Sequence, residues 1–238
     1  MDTTPNPRPI PLFLTALVAL FAALVALAVS NGRDAHAHDG APHAAAGPDA
    51  PAVVSREEVA LREELRRLWE DHVTWTRLAV ISLTTGSPDT EATVGRLLRN
   101  QVDIGDAVKP FYGDAAGEEL TRQLTRHIEI AAELIAAAQA GNEAELADAQ
   151  SRWEENADEI AAVLASVNPR HWPLATMKSE LRTHLELTTA EVVARLQGDW
   201  AADVEAYDRI HRHALHFADL LAAGIAEQFP ARFRGAGR

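Results

Sequence analysis

Apolar and polar positions divide the chain into three stretches. Residues 10–30, "IPLFLTALVALFAALVALAVS", are apolar almost throughout and carry no charge. Residues 31–54 have no apolar period and are rich in Gly, Ala, Pro and Asp, the composition of a flexible linker. From Ser55 onward apolar residues recur at intervals of three and four, which places them on one face of a helix.

That period predicts six helices. The first runs through "SREEVALREELRRLWEDHVTWTRLAVISLTTG", with Ser55 at the N-cap, Glu58 three residues on, and Gly86 at the end. The second follows Pro88 and stops near Lys109-Pro110, because proline removes a helical N–H and its ring crowds the preceding turn. The third and fourth cover about Glu118–Ala140 and Glu143–Val167, joined through Gly141-Asn142 and closed by Asn168-Pro169. The fifth and sixth cover about Leu174–Gln197 and Asp199–Gln228, joined near Gly198 and closed by Pro230. The fold class is therefore all-α, a bundle of about six helices built as three αα-hairpin repeats over 55–233, with 234–238 as a disordered tail.

The repeat is visible in particular residues. His72, His127 and His184 each stand 14 positions before the glycine of their turn, Gly86, Gly141 and Gly198. Seven positions before the histidines come Leu65, Leu120 and Met177; three before, Trp69, Leu124 and Leu181; one after, Val73, Ile128 and Leu185. These offsets share a helical stripe, so each imidazole is expected to face inward. The returning helices carry "NQVDI" from Asn100 and "NADEI" from Asn156 at matching distances from the turns. At about 1.5 Å per residue, His72 and Asn100 lie level, as do His127 and Asn156. In the third hairpin the equivalent position is His213 or His216, and the sequence leaves that register open.

Composition narrows the chemistry. With 35 acidic against 22 basic side chains the formal charge is −13, and without a basic stripe no nucleic acid is expected as a partner. The absence of cysteine rules out disulfides, thiolate metal sites and covalent haem attachment. No nucleophile motif, glycine-rich phosphate loop or zincin motif is present, nor the Glu-x-x-His pairs of di-iron bundles, so no reaction and no catalytic residue is assigned.

The N-terminal stretch sets the compartment. Residues 10–30 match the length of a membrane span, and Arg8 on the short side favours 1–9 staying in the cytoplasm. The expectation is a single-pass membrane protein, anchored through its N-terminal helix with the bundle extracytoplasmic. Cleavage near Ala35–Ala37, "AHA", makes it a secreted protein instead. His36, His38 and His43 in the linker are incidental or catch a divalent ion outside the membrane.

A layer of inward histidines has two readings. Imidazole and carboxamide satisfy each other inside an Ala/Leu core and fix hairpin register. Alternatively His72, His127 and His184, with Asp103, Glu159 or Asp203 completing the shell, enclose a divalent transition metal or a small polar ligand. Five tryptophans are read as core packing, and Arg77 as an inward anion contact or a surface salt-bridge partner. Asp203, Tyr207 and His211 fall at four-residue steps, a candidate acid/base row.

"LWEDHVTWTR", "VKPFYG", "NADEIAAVLASVNP" and "AADVEAYDRI" resemble segments of a family of exported bacterial helical proteins with no established activity. The likeness spans about Glu64 to Phe233. It implies one domain and carries over no site residues.

Overall fold

The structure is a computed structural model that describes residues 54–233. The expected anchor at 10–30, most of the expected linker and the expected tail at 234–238 lie outside the described residues. Among the described residues there are six long helices, one short one and no strand. They are α1 (Arg56–Thr85), α2 (Thr90–Tyr112), α3 (Asp114–Ala140), α4 (Glu143–Val167), α5 (Leu174–Gln197), α6 (Trp200–Gln228) and the one-turn α7 (Pro230–Phe233). None of them is long and apolar enough to cross a membrane.

The hairpin turns follow from their residues. Gly86, Gly141 and Gly198 take φ of 63°, 68° and 72°, the left-handed conformation that glycine adopts without a Cβ clash. In each turn the next N–H reaches back five residues to close the helix: Ser87 to the Ser82 carbonyl, Asn142 to Ala137 and Asp199 to Ala194. At the other end of α1, Ser55 Oγ accepts from Glu58 N at 3.1 Å.

Two expected boundaries move. Helix α2 continues through Pro110 to Tyr112, because proline in the final turn forfeits only one N–H; Gly113 N then closes the helix on Lys109 O at 2.8 Å. Helix α3 accordingly begins at Asp114 rather than near Glu118, so Gly113 alone separates α2 from α3. Between α4 and α5, Asn168 donates to Gly224 O at 2.9 Å, and fully buried Trp172 lies over Gly224. A Cβ there would collide with the indole, so the glycine lets this connection lie against α6.

Each long helix packs on its chain neighbours, and α1 also packs on α6, so the up-and-down chain closes into a ring. Helices α1, α3 and α5 face its axis and stack equivalent residues. Leu65, Leu120 and Met177 are buried towards the α4–α5 connection, while Val80, Ile135 and Val192 form a buried cluster towards the glycine turns. The three histidines lie between these apolar layers.

Candidate functional site

The three hairpins repeat one hydrogen bond. Asn100 Nδ2 donates to Leu68 O at 3.0 Å, Asn156 Nδ2 to Gln123 O at 3.2 Å, and His213 Nε2 to Glu180 O at 3.1 Å. Each acceptor stands four residues before the layer histidine of its hairpin, so the third register is fixed at His213, not His216. This bond clasps each returning helix to the outgoing one at the height of the imidazoles.

The clasps also orient the rings. Asn156 Nδ2 is spent on Gln123, through its carbonyl and its Oε1 at 3.0 Å, so Asn156 Oδ1 accepts from His127 Nδ1–H at 2.8 Å. The proton of neutral His127 is thereby held on Nδ1, and its Nε2 keeps a free lone pair. His72 takes the opposite tautomer, because its Nδ1 accepts from Gln101 Nε2 at 3.3 Å. A carbonyl only accepts, so His213 carries its proton on Nε2 and its lone pair on Nδ1. The His184 ring makes no hydrogen bond with a described residue.

The layer brings together all three histidines expected from the sequence. The His184 ring centroid lies 5.7 Å from that of His72, 6.3 Å from His127 and 6.2 Å from His213. Trp69 sets its ring edge-on to His72, and Trp153 stacks on His127 at 5.1 Å. His72 and His127 are buried, and His184 is partly accessible. Burial holds His72 and His127 down to about 4, with the nearby His127 adding to the effect on His72. Burial, followed by the charges of its three histidine neighbours, depresses His184 in the same direction. All three are therefore neutral at pH 7. Trp69 Nε1, Trp153 Nε1 and Gln101 Oε1 are buried around them without a hydrogen-bond partner among the described residues.

The carboxylates expected to complete a metal shell are elsewhere. Glu159 is ion-paired with Arg126 at 2.8 Å on the surface. Asp103 lines an open groove of about 810 Å³ between α1, α2 and α7. Both stand three positions after a clasp asparagine, a rotation of about 60° from it, which turns them away from the axis. Asp203 is buried but engaged by two arginines: Arg77 at 2.9 and 3.1 Å, and Arg195 at 3.1 Å. Among the described residues no three His, Asp or Glu side chains lie, as they stand, so as to hold a metal ion.

Arg77 is thus an inward anion contact rather than a surface pair. Its Nη1 also meets Glu191 Oε1 at 2.6 Å, and its guanidinium lies 4.8 Å from the centre of the Tyr207 ring. Burial lifts Glu191 to about 7, partly against the pull of Arg77. The supposed acid/base row of α6 runs along the seam with α1. Below Asp203, Tyr207 OH faces Thr74 Oγ1 at 3.3 Å, and His211 Nε2 meets Glu70 at 3.1 Å. Its role is to close the ring. Of the tryptophans, Trp69, Trp153 and Trp172 are core, Trp75 is partly buried, and Trp200 is exposed under Arg195.

Sequence reasoning missed Gln101 and Glu191. Gln101 adjoins the clasp asparagine and has no counterpart in the second hairpin, where Ala157 stands, so the repeat gave no signal for it. Glu191 lies seven residues after His184, on the same helical face, and that spacing was a usable signal. No family model, curated protein or solved structure matches the chain, so no relative assigns the layer a role.

Proposed function

We propose that the chain is an extracytoplasmic binding module, anchored by residues 10–30, whose central layer takes up one divalent transition metal through His72, His127 and His184. The observation that carries this is the convergence of three neutral imidazoles, one with its lone pair set free by a fixed tautomer. A tetrahedral ion places ring centroids about 5.2 Å apart, so His184 must close on His72 and His127 by roughly 0.5–1 Å. His72 must also move its proton to Nδ1, with Gln101 turned so that its unpaired Oε1 receives it. The layer contains no carboxylate, which favours an ion that tolerates an all-imidazole shell, such as zinc or copper, over calcium. Export is supported by the uncharged apolar stretch at 10–30 with Arg8 on its short side.

A second reading is favoured by the three clasps. Asn100, Asn156 and His213 fix hairpin register whether or not an ion is present, and on this reading the layer is purely structural. Metal analysis separates the two. The full chain carrying His36→Ala, His38→Ala and His43→Ala is expected to retain about one zinc or copper ion at the layer, lost in His72→Ala and in His127→Ala. Unchanged metal content in both variants, with only lowered thermal stability, would establish the structural reading. For the anchor, N-terminal sequencing of membrane-recovered protein is expected to find residues 10–30 retained; a new terminus near His38 would mean cleavage.

A further inference from the structure

The third hairpin differs from the others in clasping with a histidine, and this leaves ligand chemistry at the edge of the layer. His213 Nε2 is committed to the Glu180 carbonyl, so Nδ1 is its only atom free to bind a cation. That atom faces Glu180 Oε2 at 3.8 Å, and the other carboxylate oxygen lies 3.8 Å from His216 Nε2. A lone pair set against a carboxylate is two acceptors face to face, an arrangement that a cation between them resolves. His213 and His216 stand three residues apart on one face of α6, with Glu180 opposite on α5. A cavity of about 10 Å³ lined by Trp69, Glu180, His184 and His213 lies beside them, large enough for one ion or one water. The His216 side chain is 64% exposed, so solvent reaches the Glu180–His216 pair.

From this geometry we infer that Glu180, His213 and His216 form a second divalent-metal site, suited to zinc or a similar first-row ion, on the solvent side of the histidine layer. Two imidazoles and one carboxylate are a three-ligand set that leaves a fourth position for water. The carboxylate supplies the negative charge that the central layer lacks. The two 3.8 Å spacings run to different oxygens of Glu180, so the carboxylate must turn to bring one oxygen to about 3.3 Å from both imidazole nitrogens, the donor separation around a tetrahedral ion. The exposed His216 ring and the long Glu180 side chain have the rotational freedom for this adjustment. The site does not depend on the central layer binding metal.

The test is titration with Co²⁺, whose visible absorption reports tetrahedral coordination, on the full chain with His36, His38 and His43 replaced by alanine. His216→Ala and Glu180→Gln are each expected to weaken one class of site at least about tenfold, the scale of losing part of a metal shell. Both positions are partly or largely exposed, and unchanged far-ultraviolet circular dichroism will confirm that the helices persist. His72→Asn and His127→Asn should leave this class intact, so failure of the central layer and failure of this site are read separately. If either His216→Ala or Glu180→Gln weakens Co²⁺ by less than about tenfold, the assignment is overturned.

Discussion

Two buried polar regions lie within the same ring and are built on opposite electrical principles. The histidine layer is neutral: imidazoles, carboxamides and carbonyls, each hairpin clasped within itself. The cluster of Arg77, Arg195, Glu191 and Asp203 is charged and joins different hairpins, tying α1 to α5 and α6. The difference matters because uncharged hydrogen bonds can be buried at modest expense, whereas charges require partners on every side. Within a hairpin the glycine turn already brings the helices together, and the neutral bond has only to choose their register. Closing the ring joins helices about 120 residues apart in sequence, and there Arg77 gathers two carboxylates at once.

The largest effect should come from breaking the charged region. Arg77→Met leaves Asp203 paired with Arg195 alone and Glu191 without an ion-pair partner among the described residues, and is expected to cost about 3–5 kcal/mol in urea unfolding. A loss under about 1 kcal/mol would mean that the cluster does not hold the seam. Breaking one neutral clasp should cost less. Asn156→Leu strands His127 Nδ1–H and the Gln123 side chain, for about 2–4 kcal/mol. Asn156→His borrows the solution of the third hairpin and should recover part of that loss; if it is no better than leucine, His213 is not an equivalent clasp.

Acidity sharpens the contrast, because the two regions respond with opposite signs. His72 and His127 titrate at about 4 when folded, against an ordinary 6.5. The unfolded chain therefore binds more protons between those values, so stability present above pH 6.5 is lost as pH falls towards 4. Glu191 is raised to about 7 from an ordinary 4.5, so its contribution is present below 4.5 and is lost as pH rises through 7. Each group contributes a slope of up to about 1.4 kcal/mol per pH unit, and between 4.5 and 6.5 Glu191 offsets one imidazole. Urea midpoints measured from pH 7.5 to 5 should fall with acidity, and fall more steeply in Glu191→Gln. An equal slope in that variant would show that Glu191 is ionised in the folded protein throughout this range.

Much of the neutral region was legible in the sequence, and little of the charged one. The interval from each histidine to its glycine, together with the apolar residues at fixed offsets, is a local property of one helix, and it turned His72, His127 and His184 inward at equal height; whether all three hairpins converge on one layer depends on how they assemble, which that spacing does not encode. Equal distance from the turn placed Asn100 and Asn156 beside them. The register of His213 was ambiguous because counting from a turn cannot choose between histidines three residues apart; the bond to Glu180 O makes the choice. Asp103 and Glu159 were assigned inward by counting one turn from the asparagines, but a three-residue step falls short of a full turn and carries them outward. The partners of Asp203 come from α1 and α5, and such a contact depends on how the hairpins assemble, which no spacing within one hairpin encodes.

The central claim is that three imidazoles from three hairpins share one neutral layer in which hydrogen bonds fix the tautomers of His72 and His127. Two-bond ¹H–¹⁵N correlation of the full chain labelled at histidine tests it most directly. At pH 6 His72, His127 and His184 are expected to be unprotonated, with the proton of His72 on Nε2 and that of His127 on Nδ1. Rings at these positions that titrate near 6.5, or exchange between tautomers at His72 and His127, would contradict the layer.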